Sequence, residues 1–333
     1  MSINLRIILN VDFVFYFFYF LYFLISGCLG IFCNPVYNKC MKKSQKAQVL
    51  LMAKKGLILE GGAMRGLFTA GVMDVLMENH VTFDGAIGVS AGAVFGCNYK
   101  SEQIGRVLRY NTRFCNDPRY ASFRSLLKTG DLYGADFCYH ELPNKLDLFD
   151  TDTYEKNPME FYVVCTDVQT GKPVYHSCPT GKDTDITWMR ASASMPMVSR
   201  VVEVGGYQLL DGGISDSIPI RKFQELGYQK NVIVLTQPMD YIKHKNKLLP
   251  LLRIALCKYP EVIHALEVRH DMYNQTTAYV RLLEQQGDVC VIRPDVPLNI
   301  KQVVHDPAEL KRVYDLGRKA GEAKLKDVQA FLA

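Results

Sequence analysis

Two hydrophobic periods alternate along the chain from residue 55 onward. Short runs rich in Val, Ile, Leu and Phe have the length of buried β-strands, and they cover residues 55–59, 83–89, 160–166, 231–236 and 289–293. Between them, apolar residues recur every three or four positions, as on one face of a helix, at residues 67–79, 101–114, 186–194, 219–226 and 308–331. Strands that alternate with helices predict an α/β domain with a mostly parallel sheet.

Three regions depart from this alternation. Residues 201–210 hold two short apolar runs separated by two glycines, which is typical of a β-hairpin. Residues 115–158 are polar and irregular, and they predict few regular elements. After about residue 241 the pattern is mostly helical, with a break predicted at Pro260 because proline cannot continue a helix.

The first 51 residues differ from the rest of the chain. No charged residue occurs from Phe13 to Asn38, and a cluster of lysines follows. Roughly 20 apolar residues suffice to cross a bilayer, and basic residues favour the cytoplasmic side. The pattern therefore predicts that residues 13–33 anchor the protein in a membrane and that a basic linker leads to a cytoplasmic domain.

Two other interpretations of this segment stay open. Residues 25–28 read Ile-Ser-Gly-Cys, the form of a bacterial lipoprotein cleavage box, which would place a lipidated Cys28 and the domain outside the membrane. Alternatively, Met41 or Met52 is the true start, and the residues before it, up to 1–51, are translated upstream DNA. In each case we expect the working domain to cover residues 52–333, with a helical C-terminal part at about 241–333.

Charge and cysteine usage exclude several classes of function. The chain has 39 Lys and Arg against 34 Asp and Glu, and most of this excess lies in residues 1–53. The remaining domain is nearly neutral, which argues against a nucleic-acid partner. The ten cysteines are scattered without the spacing of metal ligands, so we expect free thiols in a reducing compartment and no metal site.

A serine occupies the junction between the predicted strand 83–89 and the helix that follows it. Residues 88–92 read Gly-Val-Ser-Ala-Gly, and Gly88 and Gly92 permit the sharp turn that exposes Ser90 at the edge of a sheet. The N-terminus of the following helix favours a developing negative charge. The pattern predicts that Ser90 is a catalytic nucleophile.

A second strand-to-helix junction contains a loop of small residues between Gly61 and Gly66. Such loops let consecutive backbone N–H groups converge on an anion. Two functions fit: a phosphate cradle for a nucleotide, and an oxyanion hole for an acyl-transfer intermediate. The loop lacks the Gly-Lys-Ser/Thr sequence of a P-loop, and the nearby serine favours the oxyanion hole. Arg65 would then hold the loop or contact a phosphate.

A serine nucleophile needs a base that accepts its proton. Asp211, followed by Gly212 and Gly213, ends the second run of the predicted hairpin, and catalytic groups often lie at strand ends. To act directly, Asp211 needs a pKa raised by burial, because an ordinary carboxylate is a weak base. The alternative is a Ser-His-Asp triad, whose base would be one of the downstream histidines His244, His264, His270 and His305.

Taken in order, these motifs resemble those of the patatin-like phospholipases, and of the bacterial members in particular. The chain reads Glu-Gly-Gly-Ala-Met-Arg-Gly from residue 60, Gly-Val-Ser-Ala-Gly from residue 88 and Asp-Gly-Gly from residue 211. Shortly before the last motif, residues 190–196 read Arg-Ala-Ser-Ala-Ser-Met-Pro. The resemblance covers residues 55–240.

The resemblance implies a three-layer α/β/α fold with a mostly parallel central sheet. It also implies an acyl-lipid or phospholipid substrate and no cofactor. Ser90 would be the nucleophile, Asp211 the base, and the N–H groups of Gly61, Gly62 and Ala63 the oxyanion hole. Ala63 departs from the family, which has a third glycine there. Its methyl group disfavours a positive φ, and would distort the hole or narrow the acyl pocket.

Two further alternatives bear on function. A membrane-tethered module that binds a lipid or nucleotide on the glycine-rich loop without turnover is the alternative to an enzyme. Residues 241–259 mix Lys, His and Arg with Leu and Ile, so they would lie at a lipid surface or pack as an ordinary surface helix on the core.

Overall fold

The computed structural model describes residues 53–333, in which a mixed sheet of eight strands lies between helices. The strands are β1 (Lys54–Leu59), β2 (Gly85–Val89), β3 (Glu160–Asp167), β4 (Pro173–Ser177), β5 (Val202–Val204), β6 (Tyr207–Asp211), β7 (Tyr228–Val234) and β8 (Val289–Ile292). The predicted anchor, the lipoprotein Cys28 and the starts at Met41 and Met52 all lie outside the described residues.

Ten α-helices connect and cover the strands of this described part. They are α1 (Gly66–Glu78), α2 (Ala91–Lys100), α3 (Arg106–Phe114), α4 (Phe123–Thr129), α5 (Thr151–Lys156), α6 (Asp183–Ser192), α7 (Ile220–Glu225), α8 (Leu249–Ala255), α9 (Pro260–Gln286) and α10 (Pro307–Leu332). Short 3₁₀ turns occupy Ala63–Arg65 and Gly212–Ile214, and a π-helix occupies Phe137–Leu146.

The centre of the sheet is parallel, as the alternation of strands and helices predicts. The spatial order is β5-β6-β3-β2-β1-β7-β8, and β4 pairs with β3. All neighbours from β3 through β8 in this order pair in parallel, whereas β4, β5 and β6 form antiparallel pairs. The prediction of a mostly parallel sheet is therefore confirmed.

One edge of β3 accepts two strands that approach from opposite directions. β2 pairs in parallel with β3 and ends with Val89 opposite Val164. β6 pairs antiparallel with β3 and ends with Asp211 opposite Cys165. β4 occupies the other edge along both of these β3 residues, so β2 and β6 share one edge and meet end to end. The residue after Val89 is thereby brought to Asp211.

The sheet separates two hydrophobic layers. Leu57 and Leu59 of β1 pack with Leu67 of α1, whereas Ile58 between them packs with Phe223 of α7 on the opposite face. This alternation follows from the two-residue period of side chains in a strand. Helices thus cover both faces, which gives the three-layer α/β/α arrangement that the resemblance implies.

The prediction for residues 115–158 was wrong in part, because three short helical segments lie there. Polar, aromatic-rich sequence without a regular apolar period concealed α4, the π-helix 137–146 and α5. The predicted break at Pro260 is the place where α9 begins. Proline suits the first turn of a helix, where its missing N–H has no intrahelical partner in any case.

The described cysteines are free thiols, as predicted. They are Cys97, Cys115, Cys138, Cys165, Cys178, Cys257 and Cys290, of which four are buried. Between residues 53 and 333, no helix combines the length and the apolar character that a membrane crossing requires.

Helices α1 and α10 approach each other closely at two glycines. A methyl group on Gly71 would lie 2.1 Å from the carbonyl oxygen of Tyr314, and one on Gly317 would lie 2.0 Å from that of Phe68. Near this contact, the buried carboxylate of Asp74 accepts a hydrogen bond of 2.6 Å from the Tyr314 hydroxyl. The C-terminal helix is therefore held against the first helix of the domain by backbone proximity and a buried polar contact.

We predict that Gly71→Ala and Gly317→Ala each lower the free energy of unfolding by about 1–3 kcal/mol, the range typical of overpacked cores. Helix propensity alone predicts the opposite sign, because Ala is favoured over Gly inside a helix by about 1 kcal/mol. Denaturant titration of the purified variants measures the change.

Gly321→Ala is the matched control for this contact. A methyl group at this position of α10 would meet the Cβ atom of Val75 at 3.2 Å, a milder contact than the other two. We expect its effect to be smaller. Stabilisation by all three substitutions would show that the helices do not pack at this distance.

Candidate active site

Ser90 lies in a strained turn between β2 and α2. Its φ is 55°, in the left-handed region that non-glycine residues rarely adopt. A methyl group on Gly88 would lie 2.2 Å from the carbonyl oxygen of Gly92, and one on Gly92 would lie 2.2 Å from that of Leu59. The two predicted elbow glycines are thus required by close backbone approach, and they let Ser90 turn at the end of the sheet.

The Ser90 backbone is held by a serine that sequence reasoning did not single out. The hydroxyl of Ser192 accepts a hydrogen bond from the Ser90 N–H at 3.0 Å and donates one to the carbonyl of Val164 at 2.6 Å. Ser192 is fully buried. It belongs to the 190–196 motif of the resemblance, which was the available signal, although that motif by itself suggests no role for it.

Asp211 lies at the meeting point of β2 and β6, with 5% of its surface exposed. Its Oδ1 accepts a hydrogen bond of 2.7 Å from the Gly213 N–H, and its own N–H donates to the carbonyl of Ser194 at 2.8 Å. A methyl group on Gly212 would lie 2.0 Å from the carbonyl oxygen of Val164 in β3. Position 212 therefore has no room for a side chain.

Burial raises the pKa of Asp211 above its ordinary value. Hydrogen bonding from the Ser90 side chain, the positive charge of Arg269 and the Gly213 N–H oppose this effect, in decreasing order. The sequence-based argument requires a raised pKa if Asp211 is to act as a base. Burial raises the pKa of Asp211 in this way, and the hydrogen bond from the Ser90 side chain shows that the two side chains are in contact.

The buried Glu60, which immediately precedes the glycine-rich loop, anchors it through hydrogen bonds. Its carboxylate accepts hydrogen bonds from the Thr236 N–H at 2.6 Å and from the Tyr273 hydroxyl at 2.7 Å. The Thr236 hydroxyl also donates to the carbonyl of Gly61 at 3.0 Å. The loop is thereby tied to the segment after β7 and to α9, two contacts that no local sequence pattern indicates.

The loop presents unpaired N–H groups beside the serine. Within residues 53–333, the backbone N–H groups of Gly61, Gly62 and Ala63 have no hydrogen-bond acceptor. A methyl group on Gly61 would lie 2.8 Å from the Cβ atom of Ser90, which shows how closely the loop passes. Ala63 adopts a φ of 48°, so the alanine accommodates the left-handed conformation that its methyl group disfavours.

Ser90 lines two cavities of different character. One is an apolar pocket lined mainly by aromatic and aliphatic side chains, among them Val94, Phe95, Tyr110, Leu142, Ile186 and Met189. The other is a cleft of about 420 Å³ that also contains Asp211. Its lining is about equally polar and apolar, and we call it the polar cleft because it is the more polar of the two. Ser90 and Ala63 line both. Ala63 therefore lies beside Ser90 where the two cavities adjoin.

The predicted supporting residues of the loop differ in their contacts. A methyl group on Gly66 would lie 2.8 Å from the Cβ atom of Ala91, so this glycine allows α1 and α2 to approach. Arg65 lines the polar cleft, and its Nε is buried without a hydrogen-bond partner in the described part of the chain. Arg65 thus faces the cleft and makes no local ion pair with a described carboxylate.

The four downstream histidines, His244, His264, His270 and His305, are not among the residues that line the cleft. None of them lines either cavity beside Ser90. The ring of His305 contacts the carbonyl of Cys115 at 2.6 Å, and His270 lies 3.5 Å from the carboxylate of its neighbour Asp271. The arrangement does not favour a Ser-His-Asp triad.

One group of side chains in the described residues has the chemistry of metal ligands. His176, Cys178 and Asp185 place one ligand atom each within 4.8 Å of the others. Asp185 already accepts hydrogen bonds from the N–H groups of Thr180 and Gly181, at 2.7 and 2.8 Å. These bonds fold the loop before α6 and account for the position of the carboxylate. The cluster does not line either cavity beside Ser90.

The segment 241–259 forms a loop and the short helix α8. Leu249 and Leu252 are buried, whereas Leu248 and Ile254 are 58% and 74% exposed. Leu248 also lines the polar cleft. One face of the helix therefore packs on the domain and the other is apolar and exposed near the site. Contact with a lipid surface stays a prediction.

Two family models match different parts of the chain. One described as "Patatin-like phospholipase" matches residues 57–223, and one described as "Domain of unknown function (DUF6363)" matches residues 259–333. A relative in Escherichia coli (strain K12), "Uncharacterized protein YjjU", is 26% identical over 286 residues, which cover 83% of this chain and 78% of that protein.

Other relatives are much longer proteins. "Lysophospholipase nte1" of Aspergillus oryzae is 26% identical over 52% of this chain, a segment that covers 11% of that protein. "Patatin-like phospholipase domain-containing protein ZK370.4" of Caenorhabditis elegans is 26% identical over 55% of this chain and 14% of that protein. Among solved structures, VipD from Legionella pneumophila has a TM-score of 0.42 at 14% identity, covering 83% of this chain and 67% of that one. With its motifs in order and half of its length matched, the chain belongs to the patatin-like phospholipase family.

Proposed function

We propose that this protein is a serine hydrolase that cleaves fatty-acyl esters of lipids through an acyl-enzyme on Ser90, with Asp211 as the base. The observation that supports this most directly is the meeting of β2 and β6 on one edge of β3, which places both side chains in one cleft. Family membership supports a lipid acyl hydrolase, and the choice among phospholipase, lysophospholipase and esterase is part of the proposal.

In the first half of the reaction, the Ser90 Oγ attacks the acyl carbonyl while its proton passes to the Asp211 carboxylate. The oxyanion of the tetrahedral intermediate is stabilised by the free N–H groups of Gly61, Gly62 and Ala63. The carbon–oxygen bond to the alcohol then breaks, and the alcohol leaves with the proton from Asp211. The acyl group stays on Ser90, with its chain in the apolar pocket.

In the second half, a water molecule attacks the acyl-enzyme and its proton passes to Asp211. The same N–H groups stabilise the second oxyanion. Cleavage of the bond to Ser90 releases the fatty acid, and Asp211 returns the proton to the serine. The apolar pocket and the polar cleft suit an amphiphilic substrate, because Ser90 lies where the two join.

The surroundings of the enzyme are also part of the proposal. We place it in the cytoplasm, which the seven free thiols of residues 53–333 support, and at a membrane surface, which the exposed Leu248 before α8 and Ile254 within it support. Its partner there is the acyl lipid or phospholipid that serves as substrate. A non-catalytic lipid- or nucleotide-binding module is the alternative, and it predicts ligand binding without an acyl-enzyme.

We predict that Ser90→Ala abolishes hydrolysis of p-nitrophenyl acyl esters and labelling by a fluorophosphonate probe. Asp211→Asn should lower kcat by about a thousandfold, within the range for removal of a general base, because the amide cannot accept the serine proton. Initial rates over a series of acyl-chain lengths and mass spectrometry of the labelled protein measure both effects.

His270→Ala and His305→Ala serve as the controls for this experiment and should retain turnover. If either histidine variant is as inactive as Ser90→Ala, a triad replaces the Ser–Asp pair. If the unmutated protein neither turns over esters nor accepts the probe, also in the presence of phospholipid vesicles, the enzyme proposal fails and the binding module takes its place.

The raised pKa of Asp211 predicts an acidic limit to activity. The base works only when deprotonated, so kcat/KM should fall as the pH drops through a midpoint above about 3.9, the ordinary value for Asp. The charge of Arg269 lowers this pKa, so Arg269→Gln should move the midpoint to higher pH. Profiles of kcat/KM against pH for both proteins measure the shift.

Arg253→Gln is the matched control, because Arg253 pairs with Glu267 on the exposed surface and does not line the cleft. Its midpoint should equal that of the unmutated protein. A midpoint that moves to lower pH in Arg269→Gln would contradict the assignment of the acidic limb to Asp211.

A further inference from the structure

The polar cleft contains three cationic side chains: Arg65, Lys243 and Arg269. Between residues 53 and 333, no carboxylate lies within ion-pair distance of any of them. The cleft also contains the carboxylates of Glu60 and Asp211. Both already accept hydrogen bonds from protein groups, Glu60 from Thr236 and Tyr273 and Asp211 from the chain that follows it.

The three positive charges converge. Burial is the largest cause that lowers the pKa of Lys243 to about 8, and charge repulsion from Arg269 and then Arg65 adds to it. Glu60 opposes this shift. The buried Nε of Arg65 has no partner in the described chain, and Arg269 uses its Nε on the carbonyl of Gly213. The cleft therefore holds free donors and three positive charges, which the two carboxylates of Glu60 and Asp211 offset only in part.

The position of Lys243 is determined by its backbone and by two aromatic rings. Its N–H donates to Asn274 at 2.9 Å, and its carbonyl accepts from the same side chain at 2.9 Å. Its ammonium group lies 4.4 Å from the ring centre of Tyr273 and 5.9 Å from that of Tyr241. The aromatic faces that would otherwise suit a quaternary ammonium group are thus occupied by the protein's own cation.

The two cavities that meet at Ser90 would hold different parts of the substrate. With the acyl chain in the apolar pocket, the alcohol side of the ester extends into the polar cleft, toward the three cations. In a glycerophospholipid this side carries a phosphate only a few bonds from the ester. Guanidinium and ammonium groups are the usual protein partners of phosphate.

We propose that Arg65, Lys243 and Arg269 bind the phosphate of the substrate headgroup and that they select acyl esters with an anionic phosphomonoester over neutral and zwitterionic ones. The inference rests on the proposed hydrolase function and specifies its substrate class. A choline or ethanolamine headgroup would bring a fourth positive charge into a cleft whose carboxylates and aromatic faces are already engaged.

Two of the three cations lie outside the 57–223 region that matches the patatin-like model. Lys243 belongs to the loop before α8, and Arg269 lies on α9, within the 259–333 region that matches the domain of unknown function. The C-terminal part of the chain thereby acquires a role in selecting the headgroup.

The experiment compares lysophosphatidic acid, monoacylglycerol and lysophosphatidylcholine with one common acyl chain, each below its critical micelle concentration. The readout is the ratio of kcat/KM values, which does not depend on the fraction of correctly folded enzyme. We expect the unmutated protein to favour lysophosphatidic acid over both others. Lys243→Gln should lower this preference by about tenfold to a hundredfold, the range for loss of a charge-assisted hydrogen bond.

Lys245→Gln is the matched control, since Lys245 is an exposed residue of the same loop and does not line the cleft. Its preference should equal that of the unmutated protein. Equal kcat/KM values for the three substrates, or an equal loss of preference in Lys243→Gln and Lys245→Gln, would overturn the inference while leaving the hydrolase intact.

A second arm separates a headgroup site from a site for free anions. Inorganic phosphate is added to the p-nitrophenyl ester assay. Competitive inhibition that is weakened in Lys243→Gln, together with a preference for lysophosphatidic acid, supports the headgroup site. Inhibition by phosphate without that preference overturns it in favour of a free-anion site. Absence of turnover on every substrate and of fluorophosphonate labelling counts instead against the proposed function.

Discussion

The site depends on the way β3 accepts two strands along a single edge. β2 runs parallel to β3 and stops at Val89, and β6 runs antiparallel and stops at Asp211, one register position further along β3. The two chains must turn away from each other where they meet, and both turns are built from glycines with no room for a side chain. Ser90 and Asp211 are adjacent because the register pairs Val89 with Val164 and Asp211 with Cys165, two consecutive residues of β3.

This arrangement also determines the electrostatics. A carboxylate at the end of a strand buried in the sheet loses water, and that loss raises its pKa. The Ser90 side chain, the charge of Arg269 and the Gly213 N–H moderate the rise, and the carboxylate remains a stronger base than an exposed one. The sheet that brings Asp211 to Ser90 thus also raises the pKa of Asp211.

The C-terminal part of the chain completes the site. Helix α9 supplies Tyr273, which holds Glu60 under the glycine-rich loop, and Arg269, which holds the carbonyl of Gly213 after Asp211. Helix α10 packs backbone to backbone on α1, the helix that follows the same loop. Both loops beside Ser90 are therefore held by α9. Tyr273 lies 213 residues after Glu60, and Arg269 lies 56 residues after Gly213.

The sequence by itself determined the parts of this protein whose physics is local. Periodicity located most strands and helices, and small residues at two strand ends identified Ser90 and the loop beside it. It missed the short helices of residues 115–158, which lack an apolar period. The order of the motifs already predicted Asp211 as the partner of Ser90. Only the tertiary structure decided how strand register brings the two residues together, that Ser192 holds the Ser90 backbone, and that Lys243 and Arg269 line the same cleft. These contacts depend on strand register and helix packing, which join residues far apart in the chain and leave no periodic trace in it.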